Sequence, residues 1–183
     1  GVIVSVVLSI WSIAIDSVIN NDGIVYVRAA ELLSSGDWQA ALTVYKWPFY
    51  PWLMMWVGDT VGISYETAGH ALNTLFFTLV VVFFVATVRA FGGRSRSITW
   101  IAMLIALAHP AFNEYRAFLI RDPGYLAAYL LAVCCLAKYR WQPCVRYRLA
   151  TIGCLVAAAL FRVEGLVFLF ATPILFSLSR PGS

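Results

Sequence analysis

The sequence predicts an all-α fold: a polytopic bundle of about six transmembrane helices, with an amphipathic helical loop on the outer face after the first span. Three observations predict it. Hydrophobic side chains make up 62% of the 183 residues and charged ones only 12%, more hydrocarbon than a soluble core of this size needs. Several apolar runs approach the ~20 residues that cross a ~30 Å hydrocarbon layer as a helix. The charges are sorted along the chain by sign. Backbone polar groups in lipid must be satisfied within the segment, so these runs should be helices, and the period-two alternation of a membrane β-barrel is missing.

With the N-terminus inside and one crossing per apolar run, Arg89, Arg94, Arg96, Lys138, Arg140, Arg146, Arg148 and Arg180 all fall on the inner side. No acid falls with them. Asp16, Asp22, Glu31, Asp37, Asp59, Glu66, Glu114, Asp122 and Glu164 fall outside or at outer helix ends. An excess of Lys and Arg on inner loops sets orientation. The net charge of +4 is therefore topogenic. It does not indicate nucleic-acid binding, because the basic residues flank spans and form no single patch. Cys134, Cys135, Cys144 and Cys154 lie in spans or on the inner side, where a disulfide framework is not expected, and none has zinc-ligand spacing with histidine.

The first span covers 2–19, with Asp16 in its outer turn. It lacks a basic leader and a small-residue cleavage site, so it reads as a retained span. The segment 20–66 is an outer-face loop. Asn20-Asn21-Asp22-Gly23 turns into a helix to Ser34, with Val25, Ala29, Leu32 and Leu33 on one face and Arg28, Glu31 and Ser35 on the other. That is the pattern of a helix lying on a membrane. Gly36 ends it, and Asp37 caps a second short helix from Trp38 to Tyr45. The run 49–63 is short and aromatic, and should dip into the outer leaflet, with Trp47, Tyr50, Trp52 and Trp56 at the interface.

The second span covers 68–91, with His70 and Asn73 near its outer end. A short basic inner loop leads to the third span, 98–111. The outer loop 112–122 carries Glu114, Tyr115, Arg116, Arg121 and Asp122, and Pro123 opens the fourth span, which runs to Ala137. After the basic inner loop 138–148, a mainly apolar run of thirty residues, 149–178, is interrupted by Arg162-Val163-Glu164. One straight helix of ~45 Å would overshoot the bilayer, so two short spans with an outer turn at 162–164 are expected. The whole chain reads as one transmembrane domain, the N-terminal part of a longer protein. No internal repeat is visible.

The order Asp22, Tyr26, Ala29-Ala30, Gly36 and Pro48-Phe49-Tyr50-Pro51 after a first span resembles the first outer loop of the type C glycosyltransferases. The likeness is to the protein O-mannosyltransferase and lipid-A aminoarabinose transferase superfamily. Glu114-Tyr115-Arg116 with Arg121-Asp122, and Arg162-Val163-Glu164-Gly165, also resemble members. The resemblance implies transfer of a sugar from a polyprenyl-phosphate donor to a protein, lipid or glycan acceptor on the outer face of the membrane. It implies an integral protein of a bacterial inner membrane with its site facing the periplasm or exterior, and Asp22 as catalytic base. Many members carry an acidic pair here, whereas Asp22 is followed by Gly23, which leaves Asp16 or Glu114 as sources of a second acid.

Such chemistry needs cations for the donor phosphate, a carboxylate to take the acceptor's proton, and an apolar groove for the lipid tail. Arg116, Arg121 and Arg162 are the cations expected to contact phosphate. Tyr26, Tyr50, Glu114, Asp122 and Glu164 complete the expected substrate-binding set. No cofactor is implied, and a divalent cation at the donor phosphate is left open; His70 and His109 are isolated and predict no metal site. Plainer structural uses stand beside these. Asp22 and Asp122 are candidate helix caps, Arg162 and Glu164 a turn pair, Arg116 and Arg121 snorkelling interfacial residues, and the Trp and Tyr residues belt anchors. A transporter or flippase for a lipid-linked or anionic solute is the competing class, and a non-catalytic assembly subunit is a third.

Overall fold

A computed structural model describes residues 1–16 and 18–178. Ser17 and Arg180 lie outside the described residues. The described chain is all helical. Its helices are α1 (Val2–Ile15), α2 (Asn21–Ser34), α3 (Trp38–Val44), α4 (Phe49–Val61), α5 (Tyr65–Ala90), α6 (Arg96–Ala108), α7 (Pro110–Glu114), α8 (Asp122–Trp141), α9 (Val145–Phe161) and α10 (Gly165–Leu178). A 3-10 turn, Tyr115–Ala117, follows α7.

Short polar side chains start several helices by accepting from orphan first-turn amides. Asp37 accepts from Ala40 N at 2.9 Å, as expected of a cap for α3. Ser64 and Ser95 do the same for α5 and α6. Gly36, at φ +82°, closes the C-terminal end of α2. The 149–178 run breaks where its charges interrupt it: α9 stops at Phe161, Arg162 is extended, and α10 starts at Gly165.

The central element is α5, which packs against α1, α4, α6 and α8. At 26 residues it is long and apolar enough to cross a membrane by itself. The apolar helices α1, α6 and α10 are shorter. The six expected spans thus correspond to six helices, α1, α5, α6, α8, α9 and α10, and one of them meets the length and hydropathy of a full crossing.

Helix α2, expected as an outer-face helix, differs in detail from its expected pattern. Its buried face is Tyr26, Ala29, Ala30 and Leu33, not Val25 and Leu32, and it packs against α3 and α4 as well as α5. The i, i+3, i+4, i+7 spacing holds, rotated so that the aromatic ring of Tyr26 goes inward. Tyr26, Ala30, Tyr50, Met54, Leu72, Leu119 and Phe161 form one core cluster, which joins α2, α4, α5, α9 and the segment before α8.

Candidate functional site

One end of the bundle is assembled by hydrogen bonds between residues far apart in sequence. Asn20 pairs its side-chain amide with the backbone of Leu119, accepting from its N–H at 2.8 Å and donating to its carbonyl at 3.2 Å. The buried Asn73 of α5 donates to Phe118 O at 2.6 Å and accepts from the Tyr50 hydroxyl at 2.8 Å. The Trp47 indole donates to Leu160 O at 2.7 Å. The 118–119 strap is thereby fixed between α2 and α5, and the segment before α4 is fixed to the end of α9. Each bond satisfies a backbone or amide group that would be costly to leave unpaired.

This frame gathers a charged cluster. Arg162 donates through Nη1 to Asp122 Oδ1, and through Nη2 and Nε to Glu164 at 2.7 and 3.3 Å. Its guanidinium also lies 5.9 Å from the Tyr125 ring centroid. The hydrogen bonds from Arg162 hold the Glu164 carboxyl down to about 2. In turn, those bonds and the Asp122 charge raise the Arg162 guanidinium above its ordinary range. Asp122, expected as a possible cap, makes no capping bond and serves Arg162.

Arg121 stands beside this group and contributes to the field at Glu164. Its guanidinium packs 5.6 Å from the Tyr45 ring centroid, and among the described residues it forms no ion pair. Tyr45 meets Tyr26 edge-on at 5.0 Å, and Tyr26 meets Tyr50 edge-on at 5.3 Å. Burial, then the neighbouring Tyr45 and Asp22, hold the Tyr26 phenol well above its ordinary range, and Arg121 opposes them. Asp22 is one helical turn before Tyr26. Its carboxylate is exposed and makes no side-chain hydrogen bond among the described residues; Asn20, not Asp22, occupies the cap position of α2.

Two apolar grooves flank the cluster. One of about 310 Å³ is lined by Phe77, Phe112, Tyr115, Tyr125 and Leu126, with Asp122 and Arg162 among its walls. The other, about 550 Å³, is lined by Trp38, Trp47, Phe49, Trp52 and Leu160, with Lys46 alongside.

Of the sequence-predicted residues, Asp22, Tyr26, Arg121, Asp122, Arg162 and Glu164 come together here. Three do not. Arg116 is 1% exposed, inside the bundle, where Nη1 donates to Ser9 Oγ at 2.8 Å, Ser5 O at 3.1 Å and Ser5 Oγ at 3.2 Å. Nε donates to Asn113 at 3.0 Å, and the guanidinium lies 5.1 Å from the Phe77 ring centroid. It clamps α1 to the loop and neither snorkels nor faces the cluster. Tyr50 is buried with its hydroxyl committed to Asn73 and Gly69, so it is a core strut and stands apart from the expected substrate-binding set. Glu114 ends α7 with an exposed carboxylate outside the cluster, and Asp16 accepts from Val18 N at 3.3 Å.

Sequence reasoning missed Ser5, Ser9, Tyr45 and Tyr125. The serines left a signal: hydroxyls at i and i+4 in an otherwise apolar helix mark a face that receives a polar partner. Among the described residues, no group of three or more His, Cys, Asp or Glu is placed to hold a metal ion. The chain matches no family model, no curated protein and no solved structure.

Proposed function

We propose that this chain is the catalytic membrane part of a glycosyltransferase that moves a sugar from a polyprenyl-phosphate donor to an acceptor at the outer face of a membrane. The reading takes α1, α5, α6, α8, α9 and α10 as six spans and puts the Asp22 end outside. The observation that carries it is an unengaged carboxylate, Asp22, and an arginine without an ion pair among the described residues, Arg121, which both act on the Tyr26 phenol beside a cluster whose Asp122 and Arg162 line an apolar groove.

Asp22 accepts the proton of the acceptor as its oxygen attacks the anomeric carbon. The bond from that carbon to the phosphate oxygen breaks, and polyprenyl phosphate departs with the bonding pair. A single base acting this way gives inversion. Arg121 neutralises the leaving phosphate, since a charge-assisted bond to an anion strengthens as charge develops. Arg162, held by Asp122 and Glu164, shapes the rim of the groove that takes the lipid tail.

The test is transfer from a radiolabelled polyprenyl-phosphate sugar in membranes carrying wild type or Asp22→Asn in the full-length protein. A loss of ~100-fold or more is expected when a general base is removed. Equal transfer would remove Asp22 from the mechanism. No transfer by wild type across a panel of lipid-linked sugars would favour a transporter.

A further inference from the structure

At the opposite end of the bundle, a pocket of about 350 Å³ lies where α5 and α8 finish. Arg89, Arg94 and Lys138 line it, together with Trp141, Gln142 and Tyr147. The segments 89–97 and 138–148 contain no acid, and none of the three cations forms an ion pair among the described residues.

The usual structural uses of these cations are already filled by others. A basic residue at a helix C-terminus commonly bonds the last carbonyls. Here Gly92 N–H donates to Arg89 O at 3.1 Å and Gly93 N–H to Val88 O at 3.0 Å, in a turn that Gly92 makes at φ +106°. The Trp141 indole donates to Ala90 O at 3.1 Å, which fixes the ring as one wall. Of the three cationic heads, Arg89 alone has a side-chain partner among the described residues, Thr99 Oγ1 at 3.3 Å. Two guanidiniums and an ammonium thus present many unused N–H donors around one concavity. The partner that fits has several acceptor oxygens and a negative charge.

We propose that this pocket binds the phosphate headgroup of an anionic membrane phospholipid. Basic pockets between membrane helices on the inner side suit such headgroups, and an indole beside the pocket suits the level of the headgroups. The inference shares with the transferase reading only the placement of the bundle in a membrane and its orientation. It needs no catalysis at the other end.

Native mass spectrometry of the purified full chain in detergent, with phosphatidylglycerol, phosphatidylcholine or inorganic phosphate added, tests it. Wild type should retain phosphatidylglycerol about tenfold over phosphatidylcholine, a modest return for three cations at an anionic surface. R89Q/R94Q/K138Q should bring that ratio near one, whereas R140Q/R146Q, which changes basic residues outside the pocket, should keep it. If the triple variant loses its helical signal, Arg94→Gln, on the turn, carries the test with an expected threefold or greater drop in the ratio. An unchanged ratio in these pocket variants, or no preference in wild type, overturns the proposal. Displacement of phosphatidylglycerol by equimolar inorganic phosphate would make the ligand a soluble anion and overturn the lipid assignment. Loss of both lipids from wild type would count against the membrane placement itself.

Discussion

At the Asp22 end of the bundle, three acids and two arginines lie among Tyr26, Tyr45 and Tyr125, and most of the polar groups are tied across the chain. At the other end, Arg89, Arg94 and Lys138 surround a pocket with no carboxylate on the segments that carry them. The contrast lies in how charge is held. Arg162 is fixed by Asp122 and Glu164, and the strap beside it by Asn20 and Asn73. Fixed geometry suits discrimination between reacting groups, whereas exposed unpaired cations suit attraction and orientation.

The comparison can be broken most severely through Arg116, whose donors tie α1 to the turn Tyr115–Ala117. Arg116→Ala opens a cavity inside the bundle and strands Ser9 and Asn113. It should destabilise the chain by ~2–4 kcal/mol, read as earlier loss of helical signal on denaturant titration in detergent. A cost below ~1 kcal/mol would mean that α1 does not need the clamp.

Gly165 comes next. A Cβ there would lie 2.6 Å from Ala159 N and 2.7 Å from its Cα, backbone atoms that cannot swing aside. Gly165→Ala should cost ~1–3 kcal/mol and shift the turn that presents Arg162 and Glu164. Asn73→Ala leaves the Phe118 carbonyl without its partner and the Tyr50 hydroxyl with Gly69 O alone, and ~1–3 kcal/mol is expected in the same titration.

A smaller effect separates the ends by pH. The Glu164 carboxyl is held at about 2, below its ordinary 4.5, first by hydrogen bonds from Arg162. A depressed carboxyl contributes stability that is complete above the ordinary value and is lost as pH falls from about 4.5 through about 2. The pair is half-exposed, so the contribution is at most ~1 kcal/mol. Glu164→Gln should flatten that part of the stability–pH profile. The smallest effect is at the other end, where Arg89→Gln should change stability by less than ~0.5 kcal/mol.

Local chemistry made much of the fold legible in the sequence. The Asp37 cap, the Arg28–Glu31 pair at 3.0 Å and the break at 162–164 all follow from neighbours within a few residues. The cluster was legible in part, because acids and arginines at helix ends stand out in an apolar chain. What stayed hidden depends on distant partners. Arg116 reads as a loop cation until Ser9, 107 residues away, takes its guanidinium. Tyr50 reads as an interfacial aromatic until Asn73 takes its hydroxyl. A single sequence shows which groups demand a partner, and only the packing shows which partner answers.

The central claim is that the two ends face opposite sides of a membrane. Sealed, oriented vesicles treated with a membrane-impermeant maleimide test it. Cys144 is a native exposed thiol in the basic 138–148 loop, and Ser35→Cys in a Cys144→Ser background reports the end that carries Asp22. The account predicts Cys144 labelling only from the inner side and the cysteine at position 35 only from the outer side. Labelling of both from the same side would contradict it.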